Sequence, residues 1–426
     1  MRCTVEKGKT LLVDGPACVK IISGVAEVLG AEVKSEMRIV IRQGKRLPFE
    51  AVSSFEAELS MGEGASCAER ETPAIPTSWR RAAETILSAE EKNTVLILGG
   101  VDSGKNGFCI YLANSALRKN RRVAVIDCDL GQSDLGPPGT VNLCFIEKPF
   151  TDLFTLFPDY SIFIGVTSPS MVVDEVLDAT SRLKVESSRL RDADLIIINT
   201  DGWIMGDLAV KYKARLIEAV NPDFVVAIHT GNELNPIISM IGERHVLSVE
   251  APRDVRRRDQ RIRRILRGSA YKKHLKEAKI RLFHLDGIRV EGALNLNDKG
   301  REFADKIEGI LRSEVLHCEE RSNSILLIVQ RRDLLDWKNV KAAEMETGKR
   351  IILLQKGDER GLLASLEDPA GRMLGIGMIH DIDFRNRSVR MYTPVSGEVS
   401  RIKIGWIRLD SEGNERGLLL EALSMR

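Results

Sequence analysis

Two clusters of residues carry the chemistry of this chain, and they lie close together. Gly99, Gly100, Val101, Asp102, Ser103, Gly104, Lys105, Asn106 and Gly107 read GGVDSGKNG, and the run RRVAVIDCDLGQ that follows ends in Asp127, Asp129 and Gln132. Glycines at 99 and 104 allow a tight loop, and loop N–H groups at a helix start converge on phosphate oxygens. Lys105 adds a mobile point charge for the outer phosphates. The spacing is that of G-x-x-x-x-G-K-[ST], with Asn106 where a hydroxyl normally touches magnesium. An amide oxygen also coordinates hard cations, on a side chain one atom longer. Asn106 is therefore either a weakened metal ligand or only a helix cap, with the ion held by Asp127, water and phosphates. The bland alternative is a glycine-rich turn with a surface lysine. Residues two apart on a strand share a face, so Asp127 and Asp129 reach one site if the extended backbone continues that far. One carboxylate would then hold the metal and the other accept a proton from an attacking hydroxyl. Gln132 is a polar positioner.

Two further motifs follow. In GVTSPS, Thr167 and Ser168 offer hydroxyls to a phosphate or an attacking group, or equally a helix cap. In NTDGW, Trp203 offers an indole face to a nucleobase, because stacking tolerates any base; alone, such a residue is more often core. Thr200 occupies the place of the lysine in the guanine-reading N-K-x-D motif, which excludes that comparison. Between Arg253 and Arg281 thirteen Lys or Arg face three acids, although the whole chain carries only +2. Ile262, Ile265 and Leu266 give a narrow apolar stripe, so a helix here presents arginines on most of its circumference. Such a segment suits phosphates as a lid, or is a solvated face.

The elements that must hold these residues follow from periodicity. The apolar run Val95 to Leu98 predicts a buried strand, the loop opens a helix to about Leu117, and further strands are expected at Tyr160 to Ile164, Asp194 to Asn199, Asp223 to Ile228 and His245 to Val249. Alternation of strands and helices predicts a mostly parallel sheet covered on both faces. Short strands such as Thr10 to Val13, Val19 to Ile22 and Arg38 to Ile41 predict a β domain before it. Ile325 to Val329, Ile351 to Leu354, Met373 to His380 and Val399 to Ile407 predict another after it. Met61 to Pro76 reads as a linker. The expected fold is α/β: a central P-loop NTPase domain flanked by N-terminal and C-terminal all-β domains. The boundaries are 1–75 for the first domain with its linker, 76–285 for the centre with an arginine-rich lid at 253–281, and 286–426 for the last.

Composition sets limits. At 426 residues, 29% charged and 43% apolar, the chain has the balance of a globular protein. Its seven cysteines form no C-x-x-C pair and its six histidines show no metal-ligand spacing, which argues against a disulfide framework or a zinc site. The start MRCTVEKGKT lacks a hydrophobic targeting core and no apolar run approaches the roughly 20 residues that span a bilayer, so a cytoplasmic location without a membrane partner is expected.

The ordered set GGVDSGK, DCDLGQ, GVTSP, NTDGW and RRRDQRIRRILRG, between two β domains, resembles the polynucleotide 5'-hydroxyl kinases related to the eukaryotic pre-mRNA cleavage-complex kinase and the nucleolar rRNA-processing kinase. It is most similar to their archaeal members. The resemblance implies transfer of a γ-phosphoryl group from ATP, or another NTP, to the 5'-hydroxyl of RNA with Mg²⁺. It implies that Lys105 stabilises the transferring group, Asp129 activates the hydroxyl and Trp203 clamps the terminal base. Lid arginines, taken here as Arg257, Arg258 and Arg261, would reach the triphosphate. RNA-processing proteins are the further partners it suggests. Because the family includes members that hold ATP without transferring phosphate, Asn106 keeps a catalytically weak or inactive scaffold as the alternative. A partner-regulated NTPase switch is a third reading, against which Trp203 and the arginine segment count.

Overall fold

The computed structural model describes residues 1–89, 91–242, 244–256, 258–297 and 301–419. The chain forms two compact units, Met1–Ile164 with Ser168–Ala270, and Gly165–Thr167 with Tyr271–Arg426.

The first unit is organised by a seven-stranded sheet. Its order is Tyr160–Phe163, Thr140–Ile146, Val123–Asp127, Leu195–Asn199, Asn93–Gly99, Phe224–His229 and Val246–Glu250. The last five are mutually parallel, and the first two are antiparallel additions at one edge. Strands Asn93–Gly99, Val123–Asp127 and Leu195–Asn199 are buried at every position. That burial explains their continuous apolar runs, since a parallel sheet is covered on both faces. Alternate residues Val95, Ile97, Val123, Val125, Leu195 and Ile197 share one core with helix α1 (Thr77–Ser88), helix α2 (Lys105–Leu117) and the N-terminal strands. Helix α3 (Val173–Arg191) packs on the strands Thr140–Ile146 and Val123–Asp127 and on α4 (Asp207–Val220), which in turn meets α5 (Asn235–Ile241).

Before this sheet lie a four-stranded and a five-stranded antiparallel sheet. The segment read as a linker contains a strand, Ser66–Arg70, paired with Thr10–Asp14. It is an exposed edge strand of mixed polarity, so it shows no buried alternation for periodicity to detect. The strand Thr140–Ile146 was likewise not expected; its apolar stretch sits close behind the glycines and prolines of LGPPGT.

The second unit holds a sheet along the path Lys279–His284, Ser388–Thr393, Met373–Asp383, Leu362–Glu367, Arg401–Leu409 and Arg289–Gly292, and a three-stranded sheet Val315–Glu320, Ser324–Val329 and Arg350–Gln355. Helices over Arg301–Leu311 and Trp337–Thr347 accompany the smaller sheet. No helix among the described residues is long and apolar enough to cross a membrane, and all seven cysteines are free thiols.

Candidate phosphoryl-transfer site

The phosphate loop runs from the end of the strand Asn93–Gly99 into α2, as the sequence predicts. Gly104 takes φ +100° at the helix start, and a Cβ there would stand 3.0 Å from Pro252 and 3.3 Å from the Trp79 ring, so both backbone angle and space call for glycine. Gly99 is equally confined: a Cβ would lie 2.4 Å from Ser103 Oγ. Asp102 adopts φ +56°, a left-handed conformation that Asp tolerates better than most residues.

Lys105 differs from the mobile charge expected of it. It is 6% exposed, and its ammonium donates to the carbonyls of Gly99 at 2.9 Å and Gly100 at 2.7 Å. Burial lowers its pKa to about 8, against the opposing charges of Asp129 and Asp201.

Extended backbone stops at Asp127, so the two aspartates are not strand neighbours. Asp127 is fully buried; its Oδ1 accepts from Asn199 Nδ2 at 3.1 Å and its Oδ2 from Ser133 Oγ at 2.9 Å. Burial, then the charges of Asp129 and Asp134, push its pKa up to about 7. Half-buried Asp129 sits in the following turn, where its Oδ1 accepts the N–H groups of Gly131 at 3.1 Å and Gln132 at 2.8 Å. Burial and Asp201 raise it too, against Lys105. Gln132 donates to the Gly131 carbonyl, and its buried Oε1 has no protein partner. The loop supplies a third acid that spacing did not single out. Although burial opposes its ionisation, Asp134 is held well below the carboxylate range by Lys45 and Arg42, to which it is bonded. Arg42 also makes a two-pronged pair with Asp152 at 2.7 and 2.9 Å. These cations come from the N-terminal strands and leave no local sequence signal.

Asn106 is tied at both ends of its amide. Its Nδ2 donates to Asp134 Oδ2 at 2.7 Å, and its Oδ1 accepts from Asn199 Nδ2 at 3.0 Å.

Of the arginines, Arg257 lies outside the described residues and Arg261 is exposed. Arg258 reaches the phosphate loop: its backbone N–H, Nε and Nη2 all bond Asp102, at 2.9, 2.8 and 2.7 Å. Arg263, on helix α6 (Gln260–His274), joins the same carboxylate at 3.0 Å. Burial would raise Asp102, yet the backbone N–H of Arg258 and then the two guanidinium groups hold it below its ordinary value. Ile262 and Leu266 pack against Gly44, where a Cβ would come within 2.8 Å of Ile262. The helix phase that points Arg263 inward could not be read from a segment with arginines at so many positions.

The backbone N–H of Trp203 donates to Asp201 Oδ1 at 2.9 Å, and its half-buried ring stacks on Tyr212 with centroids 5.7 Å apart and 24° between planes. Tyr212 and Lys213 bond Asp201 at 2.9 and 2.8 Å, with Lys213 fully buried. Ser168 caps the single turn Pro169–Met171, the capping role weighed for it, and Thr167 is half-buried in the other unit.

Among the described residues no three His, Cys, Asp or Glu side chains gather as a metal cage. Magnesium keeps several waters and uses few protein oxygens beside phosphates, so Asp127 with one neighbouring amide oxygen fits it.

A family described as the mRNA cleavage and polyadenylation factor CLP1 P-loop matches residues 99–277. The polyribonucleotide 5'-hydroxyl-kinase of Pyrococcus abyssi is 30% identical over 357 residues, covering 81% of this chain and 96% of that protein. Its counterpart in Pyrococcus furiosus is 29% identical over 350 residues, with coverage of 81% and 96%. The solved structure of wild-type Clp1p in complex with Pcf11p superposes with a TM-score of 0.67 at 14% identity, over 96% of this chain and 97% of that one.

Proposed function

The chain belongs to the polyribonucleotide 5'-hydroxyl-kinase family, and from that premise we propose that it transfers the γ-phosphoryl group of ATP to the 5'-hydroxyl end of RNA. The observation that carries this reading is the convergence of three charged sets on one loop. The ammonium of Lys105 lies within it, Asp129 in the turn after the strand that ends at Asp127 acts on that ammonium, and Asp102 draws Arg258 and Arg263 onto it. Phosphoryl transfer asks for little else: catalysis is positioning plus neutralisation of charge on the transferring group.

Loop N–H groups and Lys105 bind the phosphates. Asp129 accepts the proton of the attacking hydroxyl; burial, which raises its pKa, makes it a stronger base than an exposed aspartate. Trp203, backed by Tyr212, stacks the terminal base. Arg258 and Arg263 exchange Asp102 for the phosphates, which carry more charge. Asp127 is the residue that would hold magnesium, the expected oxygen of Asn106 being taken by Asn199 Nδ2, and the ion when bound would neutralise charge on the outer phosphates.

Asp129→Asn keeps the shape and removes the base. The turnover number of label transfer from ATP to a 5'-hydroxyl oligoribonucleotide is expected to collapse, by roughly the hundred- to ten-thousandfold that general bases contribute, while nucleotide affinity changes less. Retained turnover would exclude Asp129 as the base. The scaffold reading draws on Asn106, whose amide is engaged by protein on both sides; binding of ATP without transfer at any magnesium concentration would establish it.

A further inference from the structure

Asn199 ends the strand that lies directly beside the phosphate-loop strand, in register with Asp127 on its other side. It is fully buried. The direction of its amide is dictated by a chain of hydrogen bonds that starts at Asp134. That carboxylate is bonded by Lys45 and Arg42 and accepts from the Nδ2 of Asn106. The Asn106 carbonyl oxygen is thereby turned towards Asn199, which must donate to it. The same Nδ2 gives its second hydrogen to Asp127. Both hydrogens are used, and Asn199 Oδ1 is left on the opposite corner of the amide, buried and without a protein partner. A buried acceptor left unsatisfied is costly and calls for an explanation, and this one sits at the strand end next to the phosphate loop.

We propose that Asn199 Oδ1 supplies the hard oxygen that position 106 lacks, facing the coordination shell of the magnesium ion, while Asn106 is a positioning residue that fixes the direction of the Asn199 amide. The proposal rests on the kinase reading of this site. It gives the Ser/Thr-to-Asn departure a physical sense: the Asn106 oxygen is taken by Asn199 Nδ2, and that bond, with the one to Asp127, leaves the Asn199 oxygen as the acceptor without a protein partner. With Asp127 this makes two protein oxygens on adjacent strands, a number that suits magnesium.

Mn²⁺ is the probe, bound to the full-length protein saturated with ADP and followed by electron spin resonance, so that no phosphoryl transfer is needed. Asn199→Ala is expected to weaken Mn²⁺ at least tenfold while metal-free ADP binding stays within twofold. Unchanged Mn²⁺ affinity in the folded variant overturns the proposal. If the alanine variant does not fold, Asn199→Cys replaces the hard oxygen by a soft sulfur and is expected to shift preference from Mn²⁺ towards Cd²⁺, which a merely structural amide would not do. An unaltered preference overturns it as well. A protein whose Mn²⁺ depends on Asn199 but which phosphorylates nothing contradicts the kinase reading alone. Transfer with Mn²⁺ indifferent to Asn199 contradicts this proposal alone.

Discussion

At the scale of single residues, the site is a set of charges kept in unfavourable surroundings until phosphate arrives. Lys105 illustrates this: burial holds its pKa near 8, below the ordinary 10.5, so between those values the folded chain binds fewer protons than the unfolded one. Stability from this group therefore rises as pH climbs through that window. Urea unfolding at pH 8 and pH 10.5 is expected to show the natural protein gaining on Lys105→Met; a constant difference between the two would show that the lysine is not desolvated. Trp203 makes a second case. Its ring lies on Tyr212, and the proposed role is to stack the terminal base. Trp203→Ala is expected to raise the Michaelis constant for the oligonucleotide by the equivalent of roughly 1 to 3 kcal/mol with that for ATP unchanged. Tyr212→Leu should shift it in the same direction by less. An unaltered oligonucleotide constant in Trp203→Ala would assign the indole to the core. Both residues were singled out from the sequence because each lies in a short contiguous motif. Tyr212 and Lys213 were not, because only the turn of α4 brings them back under Asp201.

At the scale of elements, most of the central strands emerged from continuous apolar runs, and α2 from the loop that starts it. Elements whose signal is an exposed edge, such as Ser66–Arg70, stayed hidden. The arginine segment shows where pattern reading ends. Its composition suits phosphates or a solvated face, but which guanidinium groups face the loop depends on the seat of α6 against Gly44 and on Asp102, a loop residue counted only as part of the cradle. Arg258→Ala and Arg263→Ala are each expected to lower kcat, towards the roughly thousandfold typical of an arginine finger, with Arg261→Ala near neutral because that side chain is exposed. Single-turnover rates check this ordering. A larger loss at Arg261 than at the other two would mean that α6 rotates when nucleotide binds.

At the scale of the molecule, the N-terminal sheets are part of the site's construction. They share one core with the phosphate-loop strand and α2, send Arg42 and Lys45 to Asp134, and hold the arginine segment through Arg46 and Arg256 at Asp14 and through Arg70 at Asp254. Three of the segment's arginines, Arg256, Arg258 and Arg263, meet acids that lie far from it in sequence. The sequence divided these residues between separate regions, since nothing local links position 42 to position 134. What the whole assembly does is settled most directly by offering it ATP labelled in the γ position together with one oligoribonucleotide bearing either a 5'-hydroxyl or a 5'-phosphate. The label is expected on the 5'-hydroxyl strand only, and to vanish with Lys105→Ala. Label released as free phosphate, or none moved from bound ATP at any magnesium concentration, would contradict a 5'-hydroxyl kinase.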